Sequence, residues 1–123
     1  MSQTTQPTTE QLTKIRDLND ALRSSRDRVD AITVNGSLVI TRGLVDMGHE
    51  FVSTAVQAMR DFNDFTGDND PWAEHDCGVM EVEGTSLIWK IDYYAPDLQH
   101  GSEAPWDAGV TRRVLTLMLA SQY

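Results

Sequence analysis

Apolar positions first recur at helical spacing in residues 9–24. Leu12, Ile15, Leu18 and Leu22 form one stripe, and Arg16, Asp17, Asp20 and Arg23 fall largely off it. "TTEQ" ahead of this stripe has the capping-box pattern, with Thr8 at the cap and Gln11 three residues on. The pattern changes at "DAITVNGSLVIT". Asn35-Gly36 between β-branched runs predicts a hairpin turn, and apolar residues at both parities of 37–41 suit a strand covered on both faces. Helical period returns over 48–65, where Phe51, Ala55, Ala58, Met59 and Phe62 make the stripe. "TGDNDP" breaks it.

"CGVMEVEGTSLIWKIDYY" reads as a second hairpin turning at Glu83-Gly84. In that register Gly78 faces Trp89 and Met80 faces Leu87. Leu87, Trp89, Ile91 and Tyr93 share the core face, with Lys90 and Asp92 on the other. "APDLQHGSEAPWD" is a loop. Residues 108–121, capped by Asp107, predict a last helix, apolar over a wide arc through Val110, Val114, Leu115, Leu117, Met118 and Leu119. That arc suits a core helix and a homodimer contact through it. The expected fold is a single α+β domain over 9–123 behind a disordered arm at 1–8. Its order is α-β-β-α-β-β-α, an antiparallel sheet of about four strands in two hairpins packed with helices.

Charge sharpens this picture. The chain of 123 residues carries a formal net charge of −9. Residues 1–60 are balanced, seven acids against seven bases, so the excess lies in 61–123, where only Lys90, Arg112 and Arg113 are basic. A field of that sign repels nucleic acid and attracts basic surfaces. No apolar run is long enough for a membrane span, and the N-terminus lacks the pattern of a secretory signal. With one cysteine, Cys77, the chain has no intrachain disulfide and no cysteine-rich zinc site. A cytoplasmic location is expected.

Candidate chemistry concentrates in "DFNDFTGDNDPWAEHDCG", residues 61–78. An EF-hand fails there. Counting from Asp68, the fifth position is Trp72, the turn-glycine position is Ala73 and the twelfth is Val79. His49-Glu50 is followed by Ser53 where a zincin needs its second histidine. No metal and no cofactor are expected. Extending the hairpin register places His75 opposite Asp92 and Cys77 opposite Lys90, the parts of a thiol nucleophile with a base and an orienting carboxylate. The same four residues are equally the parts of ordinary cross-strand pairing. Trp72 stands among carboxylates, the composition of an aromatic anchor meeting a basic partner.

"FNDFTGDNDPWAEHDCGVMEVEG", "WKIDYYAPDLQHGSEAP" and "VTRRVLTLMLASQY", with "IRDLNDALR" and "VITRGL" before them, resemble a small bacterial family of unknown function over about residues 11–123. The order of NDPxxEHDxG, WKIDYY and TRRVLTxML carries the resemblance. It implies shared positions at Phe62, Asp64, Phe65, Asp68, Asn69, Asp70, Pro71, Glu74, His75, Asp76, Gly78, Trp89, Lys90, Asp92, Tyr93 and Tyr94, and an association with plasmids and phage-like elements. It implies no established activity.

The leading expectation is therefore a non-enzymatic acidic binding protein. Its partner surface is Asp64, Asp68, Asp70, Trp72, Glu74 and Asp76. An anti-defence inhibitor of anti-CRISPR or antirestriction type would use such a surface as a DNA mimic against a basic nucleic-acid-handling complex. The alternative is a small hydrolase or metal-assisted enzyme built on His75, Asp76 and Asp92, with Cys77 and Lys90 beside them.

Overall fold

The computed structural model describes residues 6–25, 31 and 33–123. Helix α1 runs Thr9–Arg23 and begins with the expected reciprocal cap: Gln11 N–H donates to Thr8 Oγ1, and Thr8 N–H donates to Gln11 Oε1. Strand β1 is Gly36–Ile40 and a single turn, α2, is Arg42–Val45. Helix α3 is His49–Arg60, and strands β2 and β3 are Cys77–Val82 and Thr85–Tyr94. Strand β4, Arg112–Leu119, is followed by a 3-10 turn, Ala120–Gln122.

The four strands form one mixed sheet in the order β1-β4-β3-β2. The β2–β3 hairpin has the expected register, with Gly78 opposite Trp89, Met80 opposite Leu87 and Cys77 opposite Lys90. Glu83 and Gly84 take φ of 50° and 82°, the two positive values a tight two-residue hairpin turn requires.

Two expectations are corrected. Asn35-Gly36 does not close a hairpin. Ala31 and Thr33 ahead of it are helical, while Asp30 and Ile32 of the expected first strand lie outside the described residues. Asn35 instead turns the chain at φ 54° into β1, and its side-chain amide donates to the Ala108 carbonyl at 2.7 Å. β1 then pairs parallel with β4, Leu38 opposite Leu115, so the sheet is not purely antiparallel.

The second correction is larger: residues 112–119 are a strand, not a helix. β4 is central, hydrogen-bonded to β1 on one side and β3 on the other. Leu115 and Leu117 point into the core while Val114 and Met118 lie on the other face, so apolar residues at both parities mimic a wide helical arc. Homodimerisation through a C-terminal helix consequently has no helix to rest on. The observed order is α-β-α-α-β-β-β.

The helices cover one face of the sheet. Leu22, Leu44, Ala55, Met59 and Phe62 meet Val82, Leu87, Trp89, Ile91, Leu115 and Leu117 in one core. Gly78 is required by this packing, since a Cβ there would lie 2.6 Å from Phe62 Cζ and 2.7 Å from Trp89 Nε1. On the opposite face Val39 and Val79 are exposed.

Candidate functional site: the acidic loop

The loop leaves α3 and reaches β2 across the helix-covered face at one end of the sheet. Phe62 anchors it, packed edge-on against Trp89 and Phe65 with ring centroids 5.3 Å apart in each case. Phe65 stacks flat on the His75 ring, centroids 3.6 Å apart at 8°. The Arg23 guanidinium lies 5.0 Å from the Phe65 centroid and is also bonded to Asp20 at 2.9 Å. His75 is held between two carboxylates. Its Nδ1 is 2.9 Å from Asp20 Oδ1 and its Nε2 is 3.6 Å from Asp70 Oδ2. Asp70 also accepts the His75 backbone N–H at 3.0 Å.

A second polar group fixes the loop from beneath. Asn19, fully buried, donates to the Glu74 carbonyl at 2.9 Å and to the Tyr93 hydroxyl at 2.8 Å, and it accepts from Arg113 Nε at 2.8 Å. Tyr93 in turn donates to Glu74 Oε1 at 2.7 Å. Each hydrogen of the Asn19 amide thus has an acceptor, and its oxygen has a donor. Arg113 is 1% exposed, packs over the Tyr93 ring and donates to the Pro105 carbonyl. Its Nε and Nη2 thus have acceptors, while its Nη1 is buried without a partner.

The six expected partner-binding residues therefore divide. Asp64, Asp68 and Trp72 are exposed, Trp72 by 66%. Asp70, Glu74 and Asp76 turn toward the fold: Asp70 and Glu74 serve as hydrogen-bond acceptors, and Asp76 has one buried carboxylate oxygen. Burial, then the Glu74 charge, pushes the Asp76 carboxyl up to about 6. Burial and the same charge also push the Tyr93 phenol up, and burial lowers the Arg113 guanidinium. Asn69 ties the loop to the sheet edge, accepting the Val79 N–H on its side chain at 3.1 Å and the Cys77 thiol on its carbonyl at 3.4 Å.

The thiol constellation does not assemble. Cys77 and Lys90 do pair across the hairpin, but Lys90 Nζ bonds Asp92 Oδ2 at 2.6 Å on its own strand. His75, at φ 56°, turns to Asp20 on α1 instead of meeting Asp92. Burial and then the charges of Asp76 and Asp70 push the Cys77 thiol up to about 11, away from the thiolate that a nucleophile needs. Of the enzymatic trio His75, Asp76 and Asp92, His75 is bonded to Asp20 and Asp92 to Lys90. Among the described residues no group of three His, Cys, Asp or Glu side chains is placed to hold a metal ion. Nor is any described helix long and apolar enough to cross a membrane.

Asn19, Asp20, Arg23 and Arg113 are the contributors that sequence reasoning missed. One signal was present: Asn19 and Arg23 lie beside Ile15 and Leu22 on the buried side of α1, where a polar side chain demands a partner. Arg113 becomes legible only once β4 is read as a strand, because it then shares the inner face with Leu115 and Leu117.

A family model described as Protein of unknown function (DUF3768) matches residues 40–122. The chain belongs to the DUF3768 family. No curated protein and no solved structure matches it. The region matched to DUF3768 contains the whole acidic loop with Tyr93 and Arg113, whereas Asn19, Asp20 and Arg23 precede it on α1.

Proposed function

We propose that this DUF3768 protein is a non-enzymatic docking protein that meets a basic protein surface through the outer layer of its acidic loop. Asp64 and Asp68 supply the charge and Trp72 the anchor. One observation carries this reading: Trp72 is 66% exposed at the tip of a loop whose base is pinned by Asn19, Asp70, Glu74 and His75. A large apolar ring held out in water has no folding role to explain it, and a rigid mount lowers the ordering cost of binding. Carboxylates around it speed encounter with a cationic partner. Basic channels of nucleic-acid-handling complexes are the partner class in view. Because Asp70, Glu74 and Asp76 face inward, the contact proposed is a compact anchor with a charged rim, smaller than a long phosphate-like array.

The test is capture from the native host with wild-type protein and with Trp72→Ala/Asp64→Asn/Asp68→Asn, read by mass spectrometry. A basic partner is expected to be retained by wild type, eluted by salt, and lost from the variant, with Trp72→Ala alone weakening it by about 2 kcal/mol or more. A partner held equally by both proteins contradicts the reading. Cleavage or transfer activity lost on replacing His75 would favour the enzymatic alternative.

A further inference from the structure

The two edges of the sheet are finished differently. At the β2 edge the Val79 N–H is taken by the Asn69 side chain at 3.1 Å, and the charged Glu81 is exposed on the same strand. Both are devices that stop a further strand from adding. The β1 edge has neither. The Arg113 N–H donates to the Asn35 carbonyl and the Thr41 N–H to the Leu117 carbonyl. Backbone groups of a strand alternate sides, so Asn35, Ser37, Val39 and Thr41 face β4. Gly36, Leu38 and Ile40 then aim their N–H and C=O groups outward, and none of these groups is bonded among the described residues. Gly-Ser-Leu-Val-Ile holds no charge and no proline, and its register against β4 runs without a bulge. Leu38 and Val39 are 40% and 46% exposed.

A cavity of about 610 Å³ opens beside this edge, with Leu22, Leu38, Met59 and Leu115 in its wall. Its charged side chains among the described residues are the guanidiniums of Arg23 and Arg60, with no carboxylate. β1 also belongs to the half of the chain in which acids and bases balance. Two copies of a chain with net charge −9 repel one another, and they do so least where carboxylates are fewest. A strand of five residues is short, and shortness alone discourages pairing. It does not account for apolar side chains left in water on both faces of the strand beside an apolar cavity.

We infer that β1 is a homodimer contact, two β1 strands pairing antiparallel about a two-fold axis at Leu38. Leu38 then lies opposite the second copy's Leu38, and Gly36 opposite the second copy's Ile40. Each of these pairs exchanges both of its hydrogen bonds, so every outward N–H and C=O of Gly36, Leu38 and Ile40 finds a partner. On the helix-covered face the two Leu38 side chains meet at the mouths of the two cavities. On the other face Ser37 lies opposite Val39, and no charge is buried on either. The outcome is one continuous sheet with a β2 strand at each end. The acidic loop is tied to the β2 edge through Asn69, so this contact is independent of the docking proposed above.

The experiment is sedimentation velocity from about 1 μM to about 1 mM, with amide exchange measured across the same concentrations. Wild type should pass from monomer to dimer, more readily in added salt, which screens the mutual repulsion. Protection of the Gly36, Leu38 and Ile40 amides should track the dimer fraction. Leu38→Pro deletes the central outward N–H at an edge position that accommodates proline, and should weaken association at least about 10-fold. Wild type that remains monomeric throughout would overturn the contact. So would a dimer whose Gly36, Leu38 and Ile40 amides ignore the dimer fraction, or a folded Leu38→Pro that associates as wild type does. Should Leu38→Pro not fold, the wild-type exchange series decides the matter.

Discussion

At the scale of single residues, the acidic stretch is two populations with opposite expected responses to mutation. Asn19→Ala removes three hydrogen bonds at once and leaves Arg113 Nε and the Glu74 carbonyl without those partners, at an expected cost of about 3 kcal/mol in urea unfolding. Gly78→Ala drives a methyl into Phe62 and Trp89 and should cost about 1–3 kcal/mol in the same assay. Asp76 acts with the reverse sign from most carboxylates. Its folded value, about 6, lies above the ordinary 3.8. The stability it contributes is complete below the ordinary value and is lost as pH rises through about 6. Asp76→Asn should therefore raise the melting temperature at neutral pH and flatten its decline above mild acid. Partial exposure screens the gain to about 1–2 kcal/mol. A variant less stable than wild type at neutral pH would mean that ionised Asp76 has a partner.

At the scale of elements, local signals were legible where the partner is a sequence neighbour. The α1 cap, the α3 stripe and the Glu83-Gly84 hairpin with its Gly78–Trp89 contact are all short-range patterns. The failures are long-range. Asn35-Gly36 has the chemistry of a hairpin turn, but β1 finds its partner in β4, more than seventy residues on, and nothing local specifies that pairing. Residues 112–119 carry apolar side chains at both parities, so period alone could not separate strand from helix. The site shows the same division. The loop was found by composition, but the roles of its acids depend on α1 and β4, which tertiary packing brings to them. Amide exchange checks the strand assignment. Backbone amides of β4 should be among the slowest in the chain, being paired on both sides, and Asn69→Ala should speed exchange of Val79 while leaving β4 unchanged. Fast exchange throughout 112–119 would refute a central strand.

At the scale of the whole molecule, the charge asymmetry and the packing serve different ends. The core closes around Trp89 on one face of the sheet, and Asp70 and Glu74 hold the loop through bonds to the His75 N–H and to Tyr93. The outward acids and Trp72 contribute little to this closure: Asp64 accepts from the Asn69 amide at 3.1 Å at the surface, and exposed carboxylates are worth little to stability. The central claim is that the outer layer docks and the inner layer holds. The most direct measurement takes thermal melts and partner dissociation rates on two variants, Trp72→Ala/Asp64→Asn/Asp68→Asn and Asn19→Ala/Glu74→Gln. The outer variant should melt within about 2 °C of wild type and release the captured partner at least about 10-fold faster; the inner variant should melt several degrees lower. An outer variant that melts several degrees lower while holding its partner as wild type does would contradict the division.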